Sequence, residues 1–204
     1  MNSISITWNG HSCFTVEKDG FSIDPYGPNT VPGLAPLSLT ADMVLCSHEH
    51  GDHGYTDAVT LKHSGTKNPF SITKIDTWHD PEQGALRGPN RIHILESDGL
   101  KIAHMGDIGC PLIREQKDLL KHLDAILIPV GGYYTIDAVQ AKALADDLAP
   151  RVVIPMHYRS DHFGYPVIGR LEEFTGLCRN VVEYDSNTLL LTAETRPQTA
   201  VLKL

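Results

Sequence analysis

The sequence predicts an α/β fold in which helices pack outside β-sheets, and two observations support this class. Short apolar runs alternate with helical patterns, at residues 43–46, 100–103, 125–130 and 152–156. Runs of this length are typical of strands that are buried on both faces. Each run ends in polar or glycine-rich residues, as expected where strand ends meet along one rim of a layered α/β structure.

The first quarter of the chain has the pattern of short strands joined by tight turns. We predict three strands, at residues 3–8, 13–17 and 21–24. Asn9-Gly10 and Asp19-Gly20 are turn signals, because these pairs tolerate the positive φ values of two-residue hairpins. The Pro/Gly-rich segment 25–36 is predicted to be a loop. The stretch 62–78 is ambiguous.

Helices are predicted between the apolar runs. One helical face is traced by Ile136, Val139, Ala143, Leu144 and Leu148. For this helix we predict Thr135 as the N-cap, Asp137 in the first turn and Pro150 as the stop. A second helix is expected over 111–123, with Pro111 at its first position, and a weaker third one after Val167.

Composition limits the class of protein. The 204 residues carry no linker between their halves, so we predict a single domain over residues 1–204. The net charge of −8 argues against nucleic acid as a partner. The first ten residues lack the pattern of a signal peptide, and no run of eighteen apolar residues predicts a membrane span. Four widely spaced cysteines favour a reduced, cytoplasmic setting.

The stretch SHEHGDH, residues 47–53, concentrates metal-binding groups at the end of an apolar run. His48 and His50 point the same way in an extended segment, and zinc accepts two such imidazoles. Gly51 allows a sharp turn, so that Asp52 and His53 address a second point nearby. This spacing suits two adjacent ions. A metal-free acid–base pair would not need three histidines, and a solvated loop would not need a buried strand before it.

Two ions need further ligands, and three residues are candidates. His79, Asp107 and His157 follow the motif, and the last two close or follow buried runs. The two oxygens of a carboxylate can bridge two cations, which suits Asp107. Taken singly, Asp107 could instead be a turn residue, and His157 a hydrogen-bonded histidine at the rim.

Several segments together resemble the metallo-β-lactamase superfamily. The matching segments are HEHGDH, TWNGHSCF, the IDP that contains Asp24, HDPEQGALRGPN, HMGDIG, IPVGGYYTIDA and VVIPMHY. They extend over nearly the whole chain and resemble the branch of small metal-dependent hydrolases that includes ascorbate-6-phosphate lactonase-like proteins. The resemblance implies a four-layer αββα sandwich of the metallo-β-lactamase type, with the metals at one edge.

The resemblance also implies two sets of ligands. His48, His50 and His79 would hold the first ion, and Asp52, His53 and His157 the second, with Asp107 bridging. Zinc is the first expectation for both divalent ions, with manganese or iron as alternatives. Classical B1 β-lactamases carry a cysteine where Asp107 lies, so antibiotic hydrolysis is not expected. Flavodiiron proteins carry a glutamate where His50 lies, and the chain has no room for the extra arm of the nucleolytic branches.

The function expected from this pattern is metal-dependent hydrolysis of a small ester, lactone or phosphoester. A hydroxide held between the ions would attack the substrate, with Asp52 and Asp107 as the catalytic carboxylates. Two alternatives stay open on the same fold: an iron-dependent oxidoreductase or dioxygenase, and a non-enzymatic sensor of metals or small molecules. The absence of an obvious lid leaves a homo-oligomer possible.

Other residues receive more limited predictions. The candidate substrate contacts are Arg87, Asn90 and Tyr133 with Tyr134, and His11 is expected to contact either the substrate or the metal ligands. Asp24 is expected to accept a hydrogen bond from a ligand imidazole, as metal-bound histidines require. We assign His104 to the core or to the surroundings of the ligands, and both Trp8 and Trp78 to the core. The histidines predicted at the surface are His63, His93, His122 and His162.

Overall fold

The chain forms two large β-sheets that bury side chains against one another. The computed structural model describes residues 2–17, 20–62, 68 and 70–204. The strands are β1 Ser3–Gly10, β2 Cys13–Val16, β3 Phe21–Ile23, β4 Leu39–Ala41, β5 Met43–Leu45, β6 Val59–Leu61, β7 Ser71–Trp78, β8 Pro89–Ser97, β9 Leu100–His104, β10 Ala125–Pro129, β11 Val152–Met156, β12 Val181–Glu183, β13 Thr188–Thr192 and β14 Gln198–Val201. The helices are α1 Arg114–Leu119, α2 Ala138–Leu148 and α3 Leu171–Thr175, with a 3-10 turn at Thr56–Ala58.

The sheets divide the chain roughly into an N-terminal and a C-terminal layer. The five-stranded sheet has the order β13-β1-β2-β3-β5, and the seven-stranded sheet the order β12-β14-β11-β10-β9-β8-β7. Strands β4 and β6 form a small separate pair. One cluster of buried side chains includes Ile6 and Phe14 of the first sheet and Ile94 and Ile102 of the second. Both sheets therefore share one hydrophobic core, and the single domain over residues 1–204 stays a prediction.

The predicted N-terminal strands are present, but their first turn lies two residues later than expected. Gly10 is still paired, with Cys13, so the turn residues are His11 and Ser12. His11 adopts a left-handed φ of 51°. The ladder is irregular between Trp8 and Gly10, which moves the turn away from the Asn-Gly pair. The second predicted turn includes Asp19, which lies outside the described residues.

The apolar runs form strands as predicted, with one exception in burial. Strands β9, β10 and β11 are adjacent, and β10 pairs in parallel with both neighbours. All five residues of β10 are buried. Met43 of β5, in contrast, is 37 % exposed, because β5 is the edge strand of its sheet. The prediction of burial on both faces is wrong for that run.

The helices are shorter than predicted, and the face assigned to α2 is wrong in part. Helix α2 begins at Ala138, with Asp137 rather than Thr135 as its N-cap. Its buried positions are Ala138, Ala141, Ala145 and Leu148, whereas Val139 is 66 % exposed. Three of the four buried positions are alanines, so the buried face of α2 consists mostly of small side chains. Helix α1 begins at Arg114, so Pro111 precedes it, and α3 follows Val167 as expected.

Within the stretch 62–78, which is ambiguous from its sequence, Ser71–Trp78 form β7, and β7 pairs with β8 as an antiparallel hairpin. Because β7 is an edge strand, Trp78 is 42 % exposed, and its predicted place in the core is wrong. Trp8 is buried as predicted.

These sheets and helices confirm the predicted α/β class.

The four cysteines are free thiols, of which Cys13 is buried and the others are half-buried. Of the helices that the structure describes, none combines the length and the apolar character that a bilayer crossing requires.

The cap of α2 provides a test of this fold. Asp137 Oδ1 accepts a hydrogen bond from Gln140 N at 2.8 Å, and the Gln140 side chain accepts one from Asp137 N at 3.0 Å. We expect Asp137→Ala to lower the free energy of unfolding by about 1 kcal/mol, measured by urea denaturation. Thr135→Ala should change it by less than about 0.5 kcal/mol. A larger loss at Thr135 than at Asp137 would contradict the assigned helix start.

Candidate metal centre

The site lies where strands of both sheets end. Residues 47–53 follow β5 of the five-stranded sheet, and His11 forms the turn between β1 and β2. From the seven-stranded sheet, His79 follows β7, Asp107 follows β9 and His157 follows β11. Residues that are widely separated in the sequence therefore meet at one edge of the sandwich.

The three histidines that the resemblance assigns to the first ion lie close together as a first group. One ring nitrogen from each of His48, His50 and His79 lies within 4.8 Å of the others. The ring centroids of His48 and His79 are 4.7 Å apart, and those of His50 and His79 are 5.2 Å apart. His48 and His79 are buried, whereas His50 is exposed and leaves this group open to solvent.

A second group contains one residue more than expected. His11 joins Asp52, His53 and His157, with one potential ligand atom from each within 4.8 Å of the others. The His11 Nε2 atom lies 3.4 Å from Asp52 Oδ2, and the rings of His11 and His157 are 4.2 Å apart. The sequence predicts that His11 contacts either the substrate or the metal ligands, and the structure places it among the candidate ligands themselves.

Asp107 lies between the two groups. Its Oδ2 atom is 3.3 Å from His79 Nε2 on one side and 3.2 Å from His157 Nε2 on the other. The same oxygen is 3.2 Å from His53 Nε2. This central position is the one that a bridging carboxylate requires.

Hydrogen bonds at the back of the site fix the direction of three imidazoles. Asp24 Oδ2 accepts a hydrogen bond from the Ser47 hydroxyl at 2.6 Å and lies 2.9 Å from His53 Nδ1. Because the Ser47 hydrogen points to Asp24, the Ser47 oxygen is free to accept from His48 Nδ1, which is 2.9 Å away. The Tyr134 carbonyl lies 3.1 Å from His79 Nδ1. Carbonyls and carboxylates only accept, so these imidazoles carry hydrogen on Nδ1 and direct Nε2 to the centre.

Burial and charge set the protonation of the site. Burial lowers the pKa of His48 to about 3, with the nearby His53 adding to the effect, and it lowers the pKa of His11 to about 4, with His157 adding to it. Both imidazoles are therefore neutral at pH 7, as ligands must be. Burial acts to raise the pKa of Asp107, but His157 and His53 outweigh it and hold this pKa well below its usual range.

His53 behaves differently because it lies between carboxylates. Burial acts to lower its pKa, but Asp107 and Asp24 outweigh burial and raise the pKa well above the usual value. The raised pKa means that His53 carries an extra proton, which the two carboxylates stabilise. A divalent cation bound to His53 would replace that proton.

The donor set fits divalent metal ions. Within the described residues, His48 Nε2 and both ring nitrogens of His11 are buried without a hydrogen-bond partner. His157 Nδ1 and Asp107 Oδ1 also have none. Buried polar atoms are normally paired, and a cation would supply the missing partner of His48 Nε2 and of one of the two His11 nitrogens.

Asn90 does not line the substrate cavity, contrary to the prediction. Its side chain is 1 % exposed and donates hydrogen bonds to Thr77 Oγ1 at 2.8 Å and to the Met105 carbonyl at 3.0 Å. Its Oδ1 atom accepts one from Asp107 N at 2.9 Å. Asn90 therefore holds the backbone that presents the Asp107 carboxylate.

Arg87 lies at the mouth of the site on a loop that is organised by Asp80. The Asp80 carboxylate accepts hydrogen bonds from four backbone N–H groups, those of Glu82, Gly84, Leu86 and Arg87. The Arg87 Cζ atom lies 5.6 Å from the centre of the Tyr134 ring. The loop therefore fixes the backbone of Arg87, so that its cationic side chain begins beside the candidate ligands.

A cavity of about 250 Å³ opens onto both groups. Its walls are formed by His50, Asp52, His79, Arg87, Asp107, Tyr134, His157 and Tyr165. Tyr165 was not predicted, and its hydroxyl donates to Asp52 Oδ2 at 3.1 Å. Ser47 and Asp80 were also missed. The position of Ser47 just before the histidine motif is a usable signal, whereas nothing local distinguishes Tyr165.

The remaining histidines lie outside the two groups. His104 is buried, with Nε2 2.9 Å from the Ser12 carbonyl and Nδ1 3.9 Å from Asp24, near the ligands as predicted. His122 and His162 are exposed as predicted. His93 is 1 % exposed, so its surface assignment is wrong, because β8 is an interior strand that pairs His93 with His104. His63 lies outside the described residues.

Comparison with known proteins adds independent findings. The sequence pattern of the beta-lactamase superfamily domain matches residues 5–157. A UPF0173 metal-dependent hydrolase of Thermococcus onnurineus is 29 % identical, covering 88 % of this chain and 94 % of its own. One from Archaeoglobus fulgidus is 30 % identical, with 77 % and 84 % covered. A crystal structure of a candidate Zn-dependent hydrolase of the metallo-β-lactamase superfamily, from Thermotoga maritima, matches with a TM-score of 0.74 at 29 % identity, covering 98 % of each chain.

The role of Asn90 can be tested by stability. We expect Asn90→Ala to lower the free energy of unfolding by roughly 1–3 kcal/mol, because the Asp107 N–H group and the Met105 carbonyl lose their buried partner. Arg91→Ala, next in the strand, removes an exposed ion pair with Asp76 and should cost less than about 1 kcal/mol. Equal stability of Asn90→Ala and wild type in urea denaturation would contradict this structural role.

Proposed function

The chain belongs to the beta-lactamase superfamily domain family, and we propose that it is a metal-dependent hydrolase with a two-ion centre. The predicted superfamily and fold class are thereby confirmed. The proposed substrates are small esters, lactones or phosphoesters. The observation on which this depends is the position of Asp107 Oδ2, within 3.3 Å of imidazoles from two separate groups of candidate ligands.

The proposed ligands follow the two groups. His48, His50 and His79 would bind the first ion, and Asp52, His53 and His157 the second, with Asp107 shared. We add His11 to the second set, because it is buried and neutral, lies 3.4 Å from Asp52 through Nε2, and has no hydrogen-bond partner at either ring nitrogen within the described structure. Ligands of this nitrogen and oxygen type suit zinc, manganese or iron.

Divalent ions, when bound, lower the pKa of a coordinated water molecule and polarise the oxygen of the scissile group. The residues around them would orient the reactants. Asp52 is fixed at Oδ2 by the Tyr165 hydroxyl, so its carboxylate can hold an attacking water and accept a proton. Burial, together with Asp52, raises the pKa of Tyr165, which keeps that hydroxyl a donor. The Arg87 guanidinium is placed to bind a carboxylate or phosphate oxygen.

The proposed reaction is a simple hydrolysis. The oxygen of a water molecule forms a bond to the carbonyl carbon or the phosphorus, and the bond to the leaving oxygen breaks. One proton of that water ends on the leaving oxygen, with Asp52 as its carrier. No oxidant or reductant takes part, which separates this reaction from oxidoreductase chemistry on the same fold.

Metal content and activity test the proposal together. Wild-type protein purified without chelator should hold close to two ions per chain and hydrolyse members of a panel of lactones, aryl esters, phosphodiesters and thioesters with zinc or manganese. His79→Ala should retain one ion and lose at least 100-fold in kcat/KM, more than the 10–100-fold expected for loss of an outer partner. The measurements are elemental analysis and initial rates.

His162→Ala is the matched control, since His162 is exposed and lies outside both groups. It should keep the metal content and the rates of the wild type. A coloured, redox-active centre with one iron, visible in the absorption spectrum, would contradict the hydrolase proposal and favour an oxidoreductase. Two bound ions with no hydrolysis of any substrate class would favour a sensor.

The role proposed for His11 has a separate test. We expect His11→Asn, which suits the left-handed φ of 51° but has too short a side chain, to weaken binding of the second ion by roughly 10-fold or more and to spare the first. Titration with Co²⁺, followed by its visible spectrum, measures the two steps separately. Unchanged metal binding with a raised KM would return His11 to a substrate-binding role.

The partners and the compartment stay predictions. The net charge of −8 supports the expectation that nucleic acid is not a partner, and four free cysteines are in keeping with a cytoplasmic setting. In a homo-oligomer, a neighbouring subunit could cover the exposed His50 at the wall of the cavity at the metal centre.

A further inference from the structure

A second cavity, of about 670 Å³, adjoins the one at the metal centre. It lies between helix α2 and residues 109–112, and it shares Arg87 and Tyr134 as lining residues with the smaller cavity. Its volume falls in the range of ligand pockets, roughly 300–1,000 Å³. A molecule bound at the candidate ligands could therefore extend past Arg87 and Tyr134 into this groove.

The groove is apolar and has little net charge. Leu112 and Ile136 are buried in its wall, and Leu144 of α2 is half-buried. At its rim Lys117 Nζ and Asp147 Oδ2 are 2.7 Å apart, so these opposite charges compensate each other. Burial raises the pKa of the Cys110 thiol, which keeps it neutral at pH 7. The buried part of this wall therefore favours an uncharged apolar group over a charged one.

The border between the two cavities has the opposite character. Among the described residues, the Arg87 guanidinium has no carboxylate partner and faces the ring of Tyr134 at 5.6 Å. An unpaired guanidinium next to two candidate metal ions favours anionic oxygen. The site is therefore polar at the metals, cationic at the border and apolar beyond it.

From this sequence of environments we propose that the substrate is amphiphilic, with an uncharged apolar chain in the groove and the scissile ester or phosphoester at the metal centre. The inference rests on the proposed hydrolase function and narrows its substrate class. Arg87 would bind an anionic oxygen at the junction of the two parts. Leu112, Ile136 and Leu144 would contact the chain.

Alkylphosphonates from methyl to octyl test the groove without requiring turnover. We expect their Kd for the zinc-loaded protein, measured by calorimetry, to fall roughly two- to fourfold for each added methylene, since each buried methylene adds a similar increment. A Kd that does not depend on chain length, or failure of octylphosphonate to bind, would overturn the inference.

Two substitutions on α2 form a matched pair. Ala143 lines the groove, whereas Val139 is 66 % exposed and does not. Ala143→Phe should fill part of the groove and weaken octylphosphonate binding at least tenfold while leaving methylphosphonate binding unchanged. Val139→Phe should retain the chain-length dependence of the wild type. The same loss in both variants would contradict the assigned position of the chain.

The p-nitrophenyl esters from acetate to octanoate separate the two proposals. If kcat/KM rises with chain length in wild type and Ala143→Phe removes the rise, both proposals are supported. Hydrolysis without any dependence on chain length would overturn the amphiphilic substrate and leave the hydrolase intact. Chain-length-dependent phosphonate binding without hydrolysis of any ester or phosphoester would support the groove and overturn the hydrolase.

Discussion

The buried carboxylate of Asp107 lies where the two sheets meet and contacts candidate ligands from both of them. Asp107 is carried by the seven-stranded sheet, and its Oδ2 atom lies 3.2 Å from His53, which the five-stranded sheet supplies. A buried carboxylate is tolerated only when it is paired, so the contacts around Asp107 constrain how the two sheets pack. The candidate metal centre is thus part of the interface between the sheets, and its geometry depends on the shared core.

The backbone around the site is held in conformations that side chains rarely favour. His11, Asp24 and His157 have φ values of 51°, 50° and 54°. Such conformations cost on the order of 1–3 kcal/mol each. They are held by hydrogen bonds, such as Trp8 Nε1 donating to the His11 carbonyl at 2.9 Å and Asp24 N donating to the Leu45 carbonyl at 2.9 Å. These hydrogen bonds thereby hold the strand ends in the conformations that direct the side chains towards the interior of the site.

Sequence reasoning found what is encoded locally. The motif at residues 47–53 concentrates four candidate ligands in the bends and the turn that follow β5, so its own contribution to both groups could be predicted from the local sequence, and the resemblance supplied the distant ligands. His11 and Tyr165 reach the site through the packing of elements that are distant in the sequence. Their spacing from the motif therefore does not predict that they lie beside its ligands. Similarly, Trp78 and Met43 have core-like chemistry but lie on edge strands, and the order of strands in a sheet cannot be read from apolar runs.

The interior of the site shows why the residue before the central carboxylate is glycine. Gly106 has a φ of +56°, and a Cβ atom there would lie 2.3 Å from Asn90 Oδ1 and 2.5 Å from Ser47 Cβ. Asn90 holds the Asp107 backbone, and Ser47 holds Asp24 and His48. Any larger residue at position 106 would push apart Asn90, which holds the backbone of the bridging carboxylate, and Ser47, which holds His48 of the histidine motif. The two sheets can share one centre only because their chains approach this closely at Gly106.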